Sequence, residues 1–258
     1  MIYDGSLIYS DKISKFIVRI YEKDNQLIFQ RLAKIYGCIF IDEIQDLAGY
    51  DLDIVKNIYL SIQNVIAVGD PRQTTYSTHH SQKYGKYSKG KIKNYFLEHL
   101  NGICEIDEVT LCKSHRNEPI ICHISSQLFP DFTPSESCVC CNDSHIEHLG
   151  IFYVPESKKL SYLEQYKPNQ LRWDSRNKKV DSQYPSMNIG SSKGLTLDRV
   201  ILYPTSQMIE WFQDETKTFE QQTQSKFYGG LTRAKYSLGI LISDRDLRKV
   251  RPLFPIYK

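Results

Sequence analysis

Phe40-Ile41-Asp42-Glu43-Ile44-Gln45-Asp46 is a short apolar run that ends in acids, and Val65-Ile66-Ala67-Val68-Gly69-Asp70-Pro71-Arg72-Gln73 repeats the plan. Each run has the length of a buried strand and delivers a carboxylate where the strand stops. Between them, Leu52, Val55, Ile58, Tyr59 and Ile62 recur at helical spacing over Asp51 to Gln63, which predicts a strand-helix-strand crossover and a parallel sheet. Gly69 and Pro71 shape a tight turn. Open parallel sheets bind ligands beyond the carboxyl ends of their strands, so Asp42, Glu43, Asp70 and Gln73 are expected to converge at one sheet edge. There an Asp can hold Mg²⁺ through its water shell, and the adjoining Glu can orient and deprotonate a water that attacks a γ-phosphate.

Working outward, further strands are expected over Ile103 to Val109, Ile151 to Val154, Arg199 to Tyr203 and Leu238 to Ile242, and helices over Asn117 to Leu128 and Phe219 to Lys235. Alternation of this kind predicts α/β layers. Phe129 to Pro185, rich in proline, serine and polar runs, is read as irregular decoration. Ser77 to Asn94 is read as a basic connector in which Lys83, Lys86, Lys89, Lys91 and Lys93 interleave with Tyr84 and Tyr87. A domain boundary is placed near residue 105.

Composition fits a globular chain: of 258 residues, 41% are hydrophobic and 24% charged, with a formal net charge of +3. Mean hydropathy is −0.43, and no apolar run reaches the roughly 18 residues a spanning helix requires. The N-terminus carries no signal or transit pattern, so a cytoplasmic, membrane-free protein is expected, with its seven cysteines as reduced thiols.

The pair Asp-Glu-x-Gln-Asp and Gly-Asp-x-x-Gln resembles motifs II and III of superfamily 1 helicases of the UvrD/Rep type. Leu111-Cys112-Lys113-Ser114-His115-Arg116 resembles motif IV, with His115 where Tyr is usual; Ser191-Ser192-Lys193-Gly194-Leu195 resembles motif V; Tyr228-Gly229-Gly230-Leu231-Thr232-Arg233-Ala234-Lys235 resembles motif VI. The resemblance implies RecA-like parallel sheets flanked by helices, the P-loop NTPase helicase fold in an N-terminally incomplete form. Residues 1–105 would be a partial first RecA-like domain holding motifs II and III, and 106–258 a second holding motifs IV to VI, with a short irregular insert about 129–185.

The resemblance also assigns roles. Asp42, Glu43, Gln73, Arg116 and Arg233 would be catalytic, with the arginines neutralising charge on the transferring phosphoryl group. Asp42, Asp70, Gln73, Gly194, Arg116 and Arg233 would contact ATP, Asp42 would carry its Mg²⁺, and Tyr76, Ser191 and Lys193 would meet nucleic acid. Single-stranded or partly duplex DNA is the implied partner. Thr196 stands where the family often has a ribose-contacting Glu, and Gly190 where it commonly has a His.

Residues 1 to 38 contain no Gly-x-x-x-x-Gly-Lys-Thr/Ser loop to cradle phosphates. Gly85 to Ile92 is a decoy, because Ile92 sits where a hydroxyl must. The leading expectation is therefore the C-terminal portion of a UvrD-like ATP-dependent DNA helicase, truncated or split before motif I and inactive without an upstream Walker A segment, supplied in cis or by an upstream-encoded chain. The alternative is a catalytically silent helicase-like nucleic-acid-binding or interaction subunit. Cys138, Cys140, Cys141, His145 and His148 cluster as well, but without a Cys-x₂-Cys knuckle; the sequence leaves zinc open. Ser114-His115 and Cys122-His123 have no triad context.

Overall fold

The computed structural model describes residues 3–4, 7–8, 10–23, 27–74, 83–141, 146–177 and 179–258. It divides into two compact units, Met1–Asp107 and Glu108–Lys258.

The first unit opens with a small antiparallel ladder of β1 (Tyr3–Asp4) and β2 (Leu7–Ile8). The helices α1 (Ser10–Lys23) and α2 (Leu27–Ile35) follow, bringing buried Val18 and Phe29 into the interior. Next come β3 (Ile39–Ile41), α3 (Tyr50–Ser61) and β4 (Val65–Ala67), and β3 pairs with β4 in parallel. This is the crossover expected from the periodicity of Asp51 to Gln63. Finally α4 (Ile92–His99) closes a core of Ile44, Leu52, Val55, Tyr87, Ile92 and Tyr95.

The connector is more ordered than its composition suggests. Tyr95 donates its hydroxyl to the Leu52 carbonyl at 2.7 Å, and Tyr84 and Tyr87 both pack edge-on against its ring. Lys83 pairs with Asp53 at 2.6 Å and Lys86 with Glu98 at 2.5 Å. At least these two lysines are therefore satisfied within the unit. Gly85–Tyr87 forms a 3₁₀ turn rather than a phosphate loop.

The second unit holds a five-stranded, wholly parallel sheet in the order β7, β11, β10, β8, β9. The strands are β7 (Gly150–Pro155), β8 (Asn169–Arg172), β9 (Ser186–Asn188), β10 (Leu197–Tyr203) and β11 (Ala234–Ile242). A smaller parallel pair, β5 (Lys113–Ser114) with β6 (Glu136–Ser137), lies upstream. Helices α5 (Pro119–Ser126), α7 (Ser206–Gln213) and α8 (Gln221–Thr232) cover one face of the sheet, and α6 (Lys159–Tyr166) covers the other. Side chains alternate across a strand. Val200 and Leu202 therefore join the first layer, while Ile201 and Tyr203 join the second. Burial on both faces explains why Val200 to Tyr203 of β10 read as a continuous apolar run.

Two expectations are corrected. Ile103 to Val109 is a turn followed by irregular backbone; Ile106 and Val109 are 40% and 64% exposed, and alternation without a packed face does not hold a strand. Phe129 to Pro185 is not merely an insert, because besides the expected strand at Ile151 to Val154 (β7) it supplies β8 to the sheet and α6 to its second layer. The β8 strand escaped detection because it is polar. Gln170 is fully buried there, accepting from the Tyr203 hydroxyl at 2.5 Å and the Asp181 N–H at 2.8 Å and donating to the Asp181 carbonyl at 2.7 Å. A satisfied polar group costs little to bury.

Candidate active site

In the first unit the strand ladder continues past the strands themselves. Val68 donates its N–H to the Ile41 carbonyl at 2.8 Å, and Ile44 donates to the Val68 carbonyl at 3.0 Å. These bonds draw the two acid-bearing loops together. Asp42 is exposed, and its Oδ1 accepts from the Glu43 N–H at 2.7 Å. Glu43 has φ 52° and ψ 39°. That left-handed conformation costs a non-glycine residue on the order of 1–2 kcal/mol, and such strain persists only where its surroundings hold it.

Gln45 helps to hold it, together with the backbone bonds from Ile44 to Val68 and from Asp46 to Glu43. The buried Gln45 side chain donates its Nε2 to the Glu43 carboxylate and accepts the Asp70 N–H on its Oε1 at 3.1 Å. Asp70 in turn caps the 3₁₀ turn Pro71–Gln73. Its Oδ1 accepts from the Arg72 N–H at 3.1 Å and Arg72 Nε at 2.8 Å, and its Oδ2 accepts from Gln73 Nε2 at 3.1 Å. The structure thus links Glu43, Asp70 and Gln73 through Gln45. Gly69 makes the link sterically feasible, since a Cβ there would collide with Gln45 Oε1 and lie 2.9 Å from Ile44 Cγ2. Tyr76 lies outside the described residues.

In the second unit three segments meet. Arg116 donates Nη1 to the Leu195 carbonyl at 3.3 Å and to Thr196 Oγ1 at 3.4 Å. Arg233, only 2% exposed, donates Nη1 to the same Leu195 carbonyl at 3.4 Å and to the Ser192 carbonyl at 3.3 Å, and Nε to the Gly229 carbonyl at 3.2 Å. Arg116 Nε is buried with no hydrogen-bond partner among the described residues. Burial lowers the pKa of this guanidinium, and an unmet charged donor in that setting favours an incoming anion. The unmet donor of Arg116 therefore suits a phosphate oxygen, whereas Arg233 is held by three backbone carbonyls, and the exposed Asp42 carboxylate suits a hard, oxygen-seeking cation such as Mg²⁺.

Ser191, Lys193 and Gly194 share the turn that carries Leu195. Ser191 is exposed, and Lys193 is half-buried. Gly194 has φ +79°, a region that favours glycine, and Leu195 closes the turn by donating to the Ser192 carbonyl at 3.0 Å. Thr196 gives Arg116 a hydroxyl acceptor.

Sequence reasoning assigned no role to Gln45 or Asn117. Asn117 is 6% exposed; its Nδ2 donates to the Thr232 carbonyl at 2.9 Å and the Ala234 carbonyl at 2.8 Å, flanking Arg233 on both sides. Its neighbour Ser114 donates to Asn117 Oδ1 at 3.1 Å and accepts from the Arg116 N–H at 3.3 Å. An Asn directly after the motif IV arginine was the available signal.

Of the cysteine and histidine cluster, the Cys141 side chain and His145 lie outside the described residues. His148 is engaged elsewhere, stacked between Phe152 and Tyr166 with both centroids at 3.8 Å and 3.1 Å from the Tyr162 hydroxyl. Cys138 and Cys140 instead approach His115.

Comparison with known proteins places residues 6–84 in a match to the UvrD/REP helicase N-terminal domain. Among solved structures, the chain is similar to an Arterivirus nonstructural protein 10 helicase in complex with DNA, at 18% identity and TM-score 0.47, over 80% of this chain and 40% of that one. It is also similar to the PRRSV helicase, at 18% identity and TM-score 0.45, over 83% of this chain and 36% of that one. A third is the C-terminal domain of a possible DNA helicase from Lactobacillus plantarum WCFS1, at 13% identity and TM-score 0.33, over 56% of this chain and 99% of that one. The chain spans two fifths or less of the two viral helicases. No curated protein matches it.

Proposed function

We propose that this chain, which resembles UvrD/Rep-type superfamily 1 helicases, is the C-terminal motor portion of an ATP-dependent DNA helicase that couples ATP hydrolysis to single-strand translocation and duplex unwinding. The observation that carries this reading is the hydrogen-bonded line from Glu43 through Gln45 and Asp70 to Gln73, within the segment that matches the UvrD/REP helicase N-terminal domain. ATP-Mg²⁺ supplies the phosphoanhydride that is cleaved. Glu43 orients water and accepts its proton. Gln73, tethered to Asp70, senses the terminal phosphate, and Arg116 and Arg233 neutralise phosphoryl charge. Asp42 holds the cation, Gly194 lets the motif V turn approach the nucleotide, and Tyr76, Ser191 and Lys193 meet the DNA strand.

The phosphate cradle must come from a polypeptide carrying the Walker A loop, in cis or as a partner. Support comes from the two-stranded sheet. Phe40 and Ile66 are register partners and yet 74% and 49% exposed, whereas parallel sheets are normally covered on both faces. In the proposed enzyme a further strand and its flanking layer cover this surface.

The test is DNA-stimulated ATP turnover by the chain together with a Walker A-bearing segment. Turnover should require both, and the chain alone should bind ATP-Mg²⁺ poorly. Glu43→Gln should abolish turnover while sparing nucleotide binding. Micromolar ATP affinity of the chain alone would refute the shared-site reading, and a complemented complex that binds DNA without hydrolysis would establish the silent-subunit alternative.

A further inference from the structure

We infer that His115, Cys138 and Cys140 form a zinc site that clamps the Arg116 loop. Their ligand atoms, one imidazole nitrogen and two thiol sulfurs, all lie within 4.8 Å of one another. Cys140 Sγ is 3.7 Å from His115 Nδ1, and Cys138 Sγ is 3.1 Å from Cys140 Sγ. A tetrahedral zinc ion with arms of about 2.3 Å to sulfur and about 2.0–2.1 Å to nitrogen sets sulfur–nitrogen and sulfur–sulfur separations of about 3.6 and 3.8 Å. The Cys140–His115 pair is close to the first, the Cys138 sulfur lies within 4.8 Å of His115, and small side-chain rotations bring the three donors to these separations. The sulfurs are also well beyond the roughly 2.05 Å of a disulfide.

The backbone shows how residues distant in sequence come to share an ion. The β5–β6 pair aligns Lys113 with Glu136 and Ser114 with Ser137. The Glu136 and Cys138 N–H groups donate to the Cys112 and Ser114 carbonyls, each at 2.9 Å. His115 and Cys138 therefore leave the ladder side by side, and the 3₁₀ turn Val139–Cys141 returns Cys140 to them. Two thiolates and an imidazole select a borderline-soft ion such as Zn²⁺ over Mg²⁺ or Ca²⁺, and three protein ligands leave a fourth position for water or another ligand.

The consequence is positional. His115 precedes Arg116, whose guanidinium reaches the Leu195 carbonyl, so ligation at His115 ties one end of that arginine's loop to β6. The site is independent of the helicase reading, since its evidence is the three donor atoms alone.

The experiment is metal analysis of the full chain purified from zinc-supplemented culture under reducing conditions, followed by Co²⁺ substitution. One zinc per chain is expected, with intense thiolate-to-Co²⁺ charge-transfer absorption and d–d bands of a tetrahedral ion. Cys140→Ser and His115→Ala alter exposed residues and should each lower zinc affinity at least tenfold. Cys38→Ser, also at an exposed position, should keep full occupancy. Cys138→Ser should abolish binding, but because Cys138 is buried the two exposed variants carry the test if it fails to fold. Background zinc with no uptake of added Zn²⁺, a Cys138–Cys140 disulfide in the reduced preparation, or full occupancy in both exposed variants would overturn the site.

Discussion

The side-chain carbonyl of Gln45 accepts the backbone N–H of Asp70 at 3.1 Å, joining the loop after β3 to the loop after β4. The bond is part-buried, and a hydrogen bond of this kind contributes about 0.5–1.5 kcal/mol net. Gln45→Ala should therefore destabilise the first unit by about 0.5–1.5 kcal/mol and loosen the left-handed conformation of Glu43. Gly69→Ala should produce the same loss by displacing Gln45, since the new methyl occupies the position of its Oε1. Urea denaturation of each variant, with amide exchange at Asp70 as the local probe, checks both, and unchanged protection at Asp70 in Gly69→Ala would contradict the packing argument.

Arg116 and Arg233 should differ from their lysine replacements. A planar fork can serve a carbonyl and a phosphate oxygen together, whereas an ammonium is a point charge. In the complemented enzyme, Arg233→Ala should lower single-turnover ATP hydrolysis by about 10³-fold or more, and Arg233→Lys should stay strongly impaired despite its unchanged charge. Near-normal turnover in either would mean that the guanidinium does not reach the nucleotide.

Asn117 has a positioning role by the same geometry. Asn117→Ala leaves the Thr232 and Ala234 carbonyls without their donor and should cost about 1–3 kcal/mol in the second unit. Asn117→Asp should be worse, because it sets a carboxylate against two carbonyl oxygens. Thermal melts rank the three proteins. Nucleotide binding that weakens in Asn117→Ala, measured below its melting temperature, separates positioning of Arg233 from general destabilisation.

His148 makes stability pH-dependent. Burial between its aromatic neighbours, helped by the nearby Arg199 cation, lowers its pKa from 6.5 to about 4. Between those values the unfolded chain binds the proton and the folded chain does not, so stability is full above about pH 6.5 and falls as the pH drops towards 4. His148→Phe keeps a stacking ring and removes the titration. Its melting temperature should vary less over that window than that of the parent, and identical slopes would assign the acid sensitivity to other groups.

Much of the crossover was legible because its signals are local. Strand runs ending in acids, a helical period over Asp51 to Gln63 and a Gly-Asp-Pro turn each report on neighbours in sequence. The apolar runs within β7, β10 and β11 were equally visible, since burial on both faces favours apolar side chains. Tertiary structure alone decided what depends on distant partners. Gln170 can occupy a central strand only because Tyr203 and Asp181 satisfy it, so its polarity disguised β8. Leu195 draws Arg116 and Arg233 to one carbonyl from opposite ends of the second unit. His115 meets Cys138 only because β5 pairs with β6. Period and composition describe the face a segment presents, whereas hydrogen-bond satisfaction and side-chain convergence are settled by the residues that fold up against it.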